Sequence, residues 1–275
     1  MRLIRKYWLD TVALVLGTMV FVVPFGLVFL TAMKDQAQAA RRDLSWPTSW
    51  HVWDNVSEVV AARDYQLVTA TRNSVVLTVV SVTLLVVFCS MAGFVLARRQ
   101  GRLSRLVNTM VLAGLIIPPA VVPTIFVLQK LHLFKTIWGL ILVEVAYVAP
   151  FSILLFRAFV ATIPREIDEA AMIDGCSGFD LFRRVIFPLL RPVTITVIVT
   201  TSIIIYNDFV HPLYFLPGSE NATVQLTLYN FQGQYLTQWH LLFTDVLLIT
   251  IPPLIMFMVF NRKIVSGLTA GALKG

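Results

Sequence analysis

The chain is short of charge. Asp, Glu, Lys and Arg make up only 13% of its 275 residues, about half the share in a soluble globular domain. That shortage argues against a water-soluble fold, as do 57% apolar side chains and a mean hydropathy of +0.80. Cysteine is nearly missing. Cys89 falls in an apolar run and Cys176 in a polar loop, and neither position favours a disulfide or a metal site. His51, His132, His211 and His240 are too scattered for any pair to present two ligands on one helix face. No G-x-x-x-x-G-K-[ST], H-E-x-x-H or G-x-S-x-G occurs, so there is no phosphate cradle, zinc-protease helix or nucleophile elbow to support an enzyme. Basic and aromatic residues do not interleave, so the net charge of +7 does not point to nucleic acid.

Long apolar runs are what the chain has instead. A helix needs about 20 apolar residues to cross roughly 30 Å of hydrocarbon. Six segments are long enough: 9–33, 73–97, 106–129, 137–156, 192–216 and 241–261. They predict an all-α, polytopic membrane protein with six transmembrane helices. The first run follows Arg2, Arg5 and Lys6 and is too long for a signal-peptide core, so it reads as an uncleaved span. Basic residues set the orientation. With the N-terminus in the cytoplasm, the inner segments hold fifteen Lys and Arg, the outer ones seven, and 217–240 none. Both termini are therefore expected to be cytoplasmic. Six spans without a visible internal repeat are few for a self-sufficient carrier. Pro118, Pro119 and Pro123 interrupt the third span, Pro150 the fourth, and Pro252 and Pro253 the sixth, as hinges or as fixed bends. Two outer segments offer seats for an external partner: 34–72, with Trp46, Trp50 and Trp53, and 217–240, with Gln232, Gly233, Gln234, Tyr235 and Trp239. The first three tryptophans serve equally well as interface anchors.

Between the fourth and fifth spans lies a polar hairpin, 164–188. Pro164 suits the first position of a helix, and Glu166, Asp168 and Glu169 follow where the helix dipole favours negative charge. Gly175 supplies a left-handed stop. Ser177 and Asp180 resemble a capping box for a second helix, and Pro188 and Pro192 break the chain before the next span. Ile167, Ala170, Ala171 and Asp174 share one face of the first helix; Phe179, Phe182 and Ile186 share a stripe on the second. Exposed apolar residues on the inner side imply either a protein partner or burial under neighbouring helices.

Glu169-Ala170-Ala171, Gly175, Val185 and Phe187-Pro188 resemble the EAA motif of binding-protein-dependent ATP-binding-cassette (ABC) permeases, with Val for Ile and Phe for Leu. The tail Val265-Ser266-Gly267-Leu268-Thr269-Ala270-Gly271-Ala272-Leu273-Lys274-Gly275 is similar to that of the maltose-type carbohydrate permeases, specifically the G-type membrane subunit. So is Tyr206-Asn207-Asp208-Phe209 followed by Pro212-Leu213, with Tyr206 for the usual Trp. The resemblance runs from about residue 65 to the end and implies a division into 1–70 (first helix and outer segment), 71–261 (type I permease domain) and 262–275 (cytoplasmic tail).

It further implies a multi-pass subunit of a bacterial or archaeal plasma (inner) membrane. The implied partners are a second, homologous permease subunit, two ATP-binding subunits, an extracytoplasmic solute-binding protein and membrane lipid. No cofactor is expected in this chain, since ATP and Mg²⁺ would sit in the ATPases. The hairpin would dock there through Glu169, Ala170, Ala171, Asp174, Gly175, Phe179, Arg183, Arg184 and Pro188. The solute would be a carbohydrate, an oligosaccharide first. The alternatives are a non-sugar solute such as a glycerol phosphodiester, or a carrier that works without an ATPase. Ionisable groups within spans are functional candidates. They put Glu144, Asp208 and Asp245 on the substrate path, with Tyr147, Tyr206, Asn207 and His211 beside them. Carboxylates and aromatic faces hold sugars, but Asn207 and Asp208 serve equally to join helix backbones.

Overall fold

Hydrocarbon offers backbone groups no partner, so an apolar chain closes its hydrogen bonds locally, as helices. The computed structural model describes residues 2–233 and 236–272, with side chains described except at 2–7, 9 and 260–272. Among the described residues there is no strand, only an isolated bridge between Gln232 and Thr237. Gln234 and Tyr235 lie outside the described residues, as do residues 273–275.

The first helix carries the apolar stretch Asp10–Ala32 (α1). It widens into a π turn at Thr18–Val22, just ahead of Pro24, whose missing N–H cannot continue the regular ladder. Then follow α2 (Val52–Arg98), α3 (Arg102–Ile116), α4 (Val121–Lys130), α5 (Ile137–Ala161), α6 (Arg165–Ile173), α7 (Gly178–Leu189), α8 (Arg191–Tyr206), α9 (Val210–Phe215) and α10 (Trp239–Ala272). Four helices are long and apolar enough to span: α1, α2, α5 and the Trp239–Val259 part of α10. The other two expected spans are not single rods. The third is α3 and α4, bent by 119° at Ile117–Ala120. Pro118 forces Ile117 into an extended conformation (ψ 122°) and ends the ladder. The fifth stops at Tyr206 and resumes as α9, because Asp208 bonds backbone N–H groups beyond the break. It also bends by 76° from α7 at Leu190, between Pro188 and Pro192. Pro150 and the Pro252–Pro253 pair, in contrast, sit inside continuous helices rather than interrupting them. α2 contains a turn of its own, with Arg63, Asp64 and Tyr65 left-handed at φ 48°, 55° and 60°.

The chain forms two compact units. One comprises Met1–Thr71 and Ala222–Ile251. In it the Asn55 amide donates to Ala32 O (2.9 Å) and Lys34 O (3.0 Å), satisfying carbonyls at the end of α1. Lys34 is fully buried, and Nζ donates to Asp43 O (2.8 Å), Asp43 Oδ1 (2.9 Å) and Ser45 Oγ (3.2 Å). The hydroxyl bond from Ser45, then the bond from Lys34, holds the Asp43 carboxyl down at about 2.

The other unit comprises Arg72–Asn221 and Pro252–Gly275. α5 is its central element, packed on α3, α8 and α9. Leu85 and Cys89 of α2, Phe156 and Val160 of α5, and Ile186 and Val197 beyond them form its dry core. Helices approach closely where side chains are smallest. A Cβ on Gly93 of α2 would lie 2.7 Å from Phe156 Cβ, and one on Gly114 of α3 2.9 Å from Pro150 Cγ.

Two expectations follow. Gly93→Ala lowers stability in detergent by about 1–3 kcal/mol through overpacking. Gly17→Ala, with open space around its Cβ, does not; equal thermal midpoints for the two would refute the close α2–α5 contact. The second concerns Asp43. Its folded-state value lies below the ordinary 3.8, so the ionised carboxylate stabilises the fold. That contribution is complete above the ordinary value and disappears as pH falls through about 2. Asp43→Asn lowers the melting midpoint at neutral pH, because Lys34 stays buried without its carboxylate, and flattens the acid dependence read from tryptophan fluorescence.

Candidate functional site

The hairpin is built as its residue types dictate. α6 ends in a Schellman motif: Cys176 N–H bonds Ala171 O (2.9 Å), Gly175 N–H bonds Met172 O (3.1 Å), and Gly175 takes φ 87°. Pro164 is the N-cap of α6 rather than its first helical residue. Ser177 precedes α7 but its side chain makes no capping bond, so the expected capping box does not form. α7 is π-helical over Leu181–Ile186, and this widening turns Leu181, Phe182 and Ile186 inward together. Phe182 packs on Phe94 of α2 (centroids 5.6 Å) and on Phe187 (5.8 Å).

The buried face of α6 is not the expected one. Ile167 is half-buried and Ala171 buried as expected, but the third inward residue is Asp168; Ala170 and Asp174 point outward. The cause is Arg98, at the inner end of α2. Its Nη2 donates to Asp168 Oδ1 (3.1 Å) and to Ile163 O (3.0 Å), and its Nε lies 2.6 Å from Asp168 Oδ2. Arg98 thus ties α2 to both the end of α5 and the start of the hairpin. Sequence reading missed it: Asp168 passes as one more first-turn carboxylate, and Arg98 as one more inner-side arginine. What stays exposed is Glu169, Ala170, Asp174, Gly175, Pro188 and an apolar tip of Met172 (53% exposed), Ile173 (86%) and Phe179 (59%). Phe179 therefore leaves the stripe it was placed on. Arg183 and Arg184 are also exposed, with Arg184 Nε 3.3 Å from Asp180 Oδ1.

The polar residues expected within the spans separate into groups. Glu144, Tyr147, Asp208 and His211 come together. His211 Nδ1 lies 3.3 Å from Glu144 Oε1 and also contacts Asp208 Oδ2, while Tyr147 stacks flat on the imidazole (centroids 4.6 Å, 5°). Asp208 Oδ1 accepts from Val210 N–H (2.8 Å). The ligating atoms of Glu144, Asp208 and His211 lie within 4.8 Å of one another, but these groups already satisfy each other and cap α9. Glu144 is only 1% exposed, so the cluster locks α5 to α9 and presents little to a solute. Asn207 donates to Ile203 O of its own helix (2.9 Å). Asp245 belongs to the other unit, where it is buried and accepts from Thr227 Oγ1 (2.8 Å).

Tyr206 has a different setting. It lines a cavity of about 110 Å³ with Thr78 and Val79 of α2, Ser202 of α8, and Pro252 and Pro253 of α10. An adjoining groove of about 300 Å³ shares Thr78, Val79 and Ser202. The Tyr206 hydroxyl and Thr78 Oγ1 are buried without a hydrogen-bond partner. Unpaired buried hydroxyls are costly, and these two lie behind a groove whose accessible lining is mostly apolar. Thr78 was not anticipated, because a lone threonine in a valine-rich span gives no signal in the sequence.

Residues 89–269 match the model of the family described as "binding-protein-dependent transport system inner membrane component". The chain is 29% identical to the probable starch degradation products transport system permease protein AmyC of Thermoanaerobacterium thermosulfurigenes, over 98% of both chains. It is 30% identical to the diacetylchitobiose uptake system permease protein DasC of Streptomyces coelicolor, over 99% of both. Its fold matches a crystal structure of a bacterial ABC transporter involved in import of the acidic polysaccharide alginate, with a TM-score of 0.81 at 18% identity, covering 95% of this chain and 98% of that one. A helical bundle, a Gly-stopped inner hairpin and a family match across most of the chain converge: this protein belongs to the binding-protein-dependent transport system inner membrane components, as a multi-pass transport subunit and not an enzyme.

Proposed function

We propose that the chain is one of two membrane subunits of an ABC importer and forms half of the path for an oligosaccharide. The observation that carries this reading is the hairpin. Arg98 and Phe182 fix one side of it to the bundle, while Met172, Ile173 and Phe179 are left uncovered at its tip. An apolar tip held rigidly on the inner side suits a cleft in an ATP-binding subunit better than it suits water. A rigid attachment is also what transmits movement, since coupling needs two discrete states with different contacts in each. Two such ATPases would hold the ATP and Mg²⁺. An extracytoplasmic binding protein would deliver the solute to outer segments where Trp46, Trp50 and Trp53 stand exposed. The second, homologous permease subunit would complete the path.

The relatives AmyC and DasC are named for starch degradation products and diacetylchitobiose, which supports a carbohydrate. The groove at Tyr206 supports it chemically: hydroxyls without partners, aliphatic walls and no Lys or Arg. A glycerol phosphodiester would call for a cation that this lining lacks. An ATPase-independent carrier leaves the exposed hairpin tip without a purpose.

Gly175→Val abolishes uptake in cells while membrane insertion stays normal, because a β-branched residue resists positive φ. Gly175→Asn, which tolerates it, retains measurable uptake. The space around Gly175 is open within this chain, so the loss comes from the backbone turn and not from an internal clash. Uptake at the wild-type rate by Gly175→Val would overturn the docking role. On the solute side, Tyr206→Phe and Thr78→Val each raise the half-saturating concentration for uptake about three- to tenfold, the worth of one hydrogen bond. If the hydroxyls never meet solute, the same variants gain thermal stability and leave uptake unchanged.

A further inference from the structure

The turn between α2 and α3 carries positive charge, and no acidic side chain lines it. A cavity of about 480 Å³ there is lined by Arg99, Arg105 and Arg157 together with Ser104 and Asn108, and by no acidic residue. Among the described residues, Arg99 and Arg105 make no ion pair, and Arg157 is oriented by a bond from Nη1 to Asn108 Oδ1. Asp168 and Asp180, on the same side of the membrane, are engaged by Arg98 and Arg184. Clustered guanidinium groups without a carboxylate repel one another unless an anion joins them.

A second groove begins where this cavity ends. It shares Leu96, Arg99, Gln100, Gly101 and Ser104 with it, then runs on over Met91, Val95, Leu103 and Val107. Val95, Leu103 and Val107 are exposed. A charged mouth that opens onto an apolar channel along two helices, on the cytoplasmic side, is complementary to a molecule with an anionic head and a hydrocarbon tail. A soluble phosphate would use the first cavity but not the second.

We infer that the α2–α3 turn is a binding site for an anionic phospholipid of the inner leaflet. The phosphate is held by Arg99, Arg105 and Arg157, and one acyl chain lies along Val95 and Val107. Basic pockets between transmembrane helices on the cytoplasmic side bind anionic headgroups in this way. The site lies one turn of chain from Arg98, so lipid bound there braces the segment from which the hairpin hangs.

The test is native mass spectrometry of the full-length chain in its transporter complex, delipidated and titrated separately with phosphatidylglycerol, phosphatidylcholine and inorganic phosphate. Phosphatidylglycerol is expected to bind in preference to phosphatidylcholine. Arg99→Gln/Arg105→Gln should weaken that binding about thirtyfold, at about a factor of five per arginine. Arg99→Lys/Arg105→Lys should recover most of it. Arg165→Gln/Arg191→Gln, which removes equal charge elsewhere on the cytoplasmic side, should leave it unchanged. Equal affinity for the two lipids overturns the proposal, as does phosphate competing as strongly as phosphatidylglycerol. It fails also if the Gln pair sheds the ATP-binding subunit while keeping the lipid, since the arginines would then be a protein contact.

Discussion

The guanidinium of Arg98 is the joint of the molecule. It reaches the carboxylate of Asp168 and the carbonyl of Ile163 from the inner end of α2, and so joins α2 to the end of α5 and the start of the hairpin by polar bonds, beside the apolar packing of the same elements. Both partners are largely withdrawn from water, and a buried ion pair is weak evidence of stability in itself. Its value is positional. The planar fork of an arginine fixes distance and orientation together, which a lysine would not. With α6 fixed through Asp168 and α7 through Phe182, the hairpin has one side committed to the bundle and one side uncommitted. The uncommitted side carries the apolar tip, and the reading of the protein as an ATPase-driven transport subunit rests on that asymmetry.

The buried charges divide by the same logic. Glu144, Asp208 and His211 bring two carboxylates and an imidazole into contact, yet every one has a partner within the group or on the backbone of α9. Such a cluster fixes where α9 sits against α5. Tyr206 and Thr78 present the opposite case, with polar atoms withdrawn from water and no partner among the described residues. A satisfied network holds a fold together, whereas the unsatisfied pair beside the groove supports the solute path proposed above. Ionisable residues in a span can therefore serve the fold rather than a solute.

Much of this was legible in advance. Apolar run length located the helices, basic residues oriented them, and the spacing of Glu169, Gly175 and Pro188 located the hairpin and its left-handed stop. What was not legible depends on partners remote in sequence. The inward face of α6 is set by Arg98, 70 residues from Asp168, and no local periodicity encodes that. The π-helical widening of α7, whose Phe182 packs on Phe94 of α2, and the missing Ser177 cap were not legible either.

The prolines make the same point within one chain. Ile117-Pro118-Pro119 and Ile251-Pro252-Pro253 are the same tripeptide. The first lies at a 119° break and the second inside a continuous helix. Each pair removes two backbone donors, so the local cost is the same. The surroundings are not. Residues 114–120 are all exposed, and no neighbour opposes the extended conformation that proline prefers in the residue before it. Pro252 and Pro253 are half-buried and line one cavity with Val75 and Val79 of α2 and Tyr206 of α8. Bending there would open the wall of the very groove that holds the two unpaired hydroxyls. A helix kept continuous through two prolines is thus a cost borne beside the groove, which supports the proposed solute path without appeal to any charged residue.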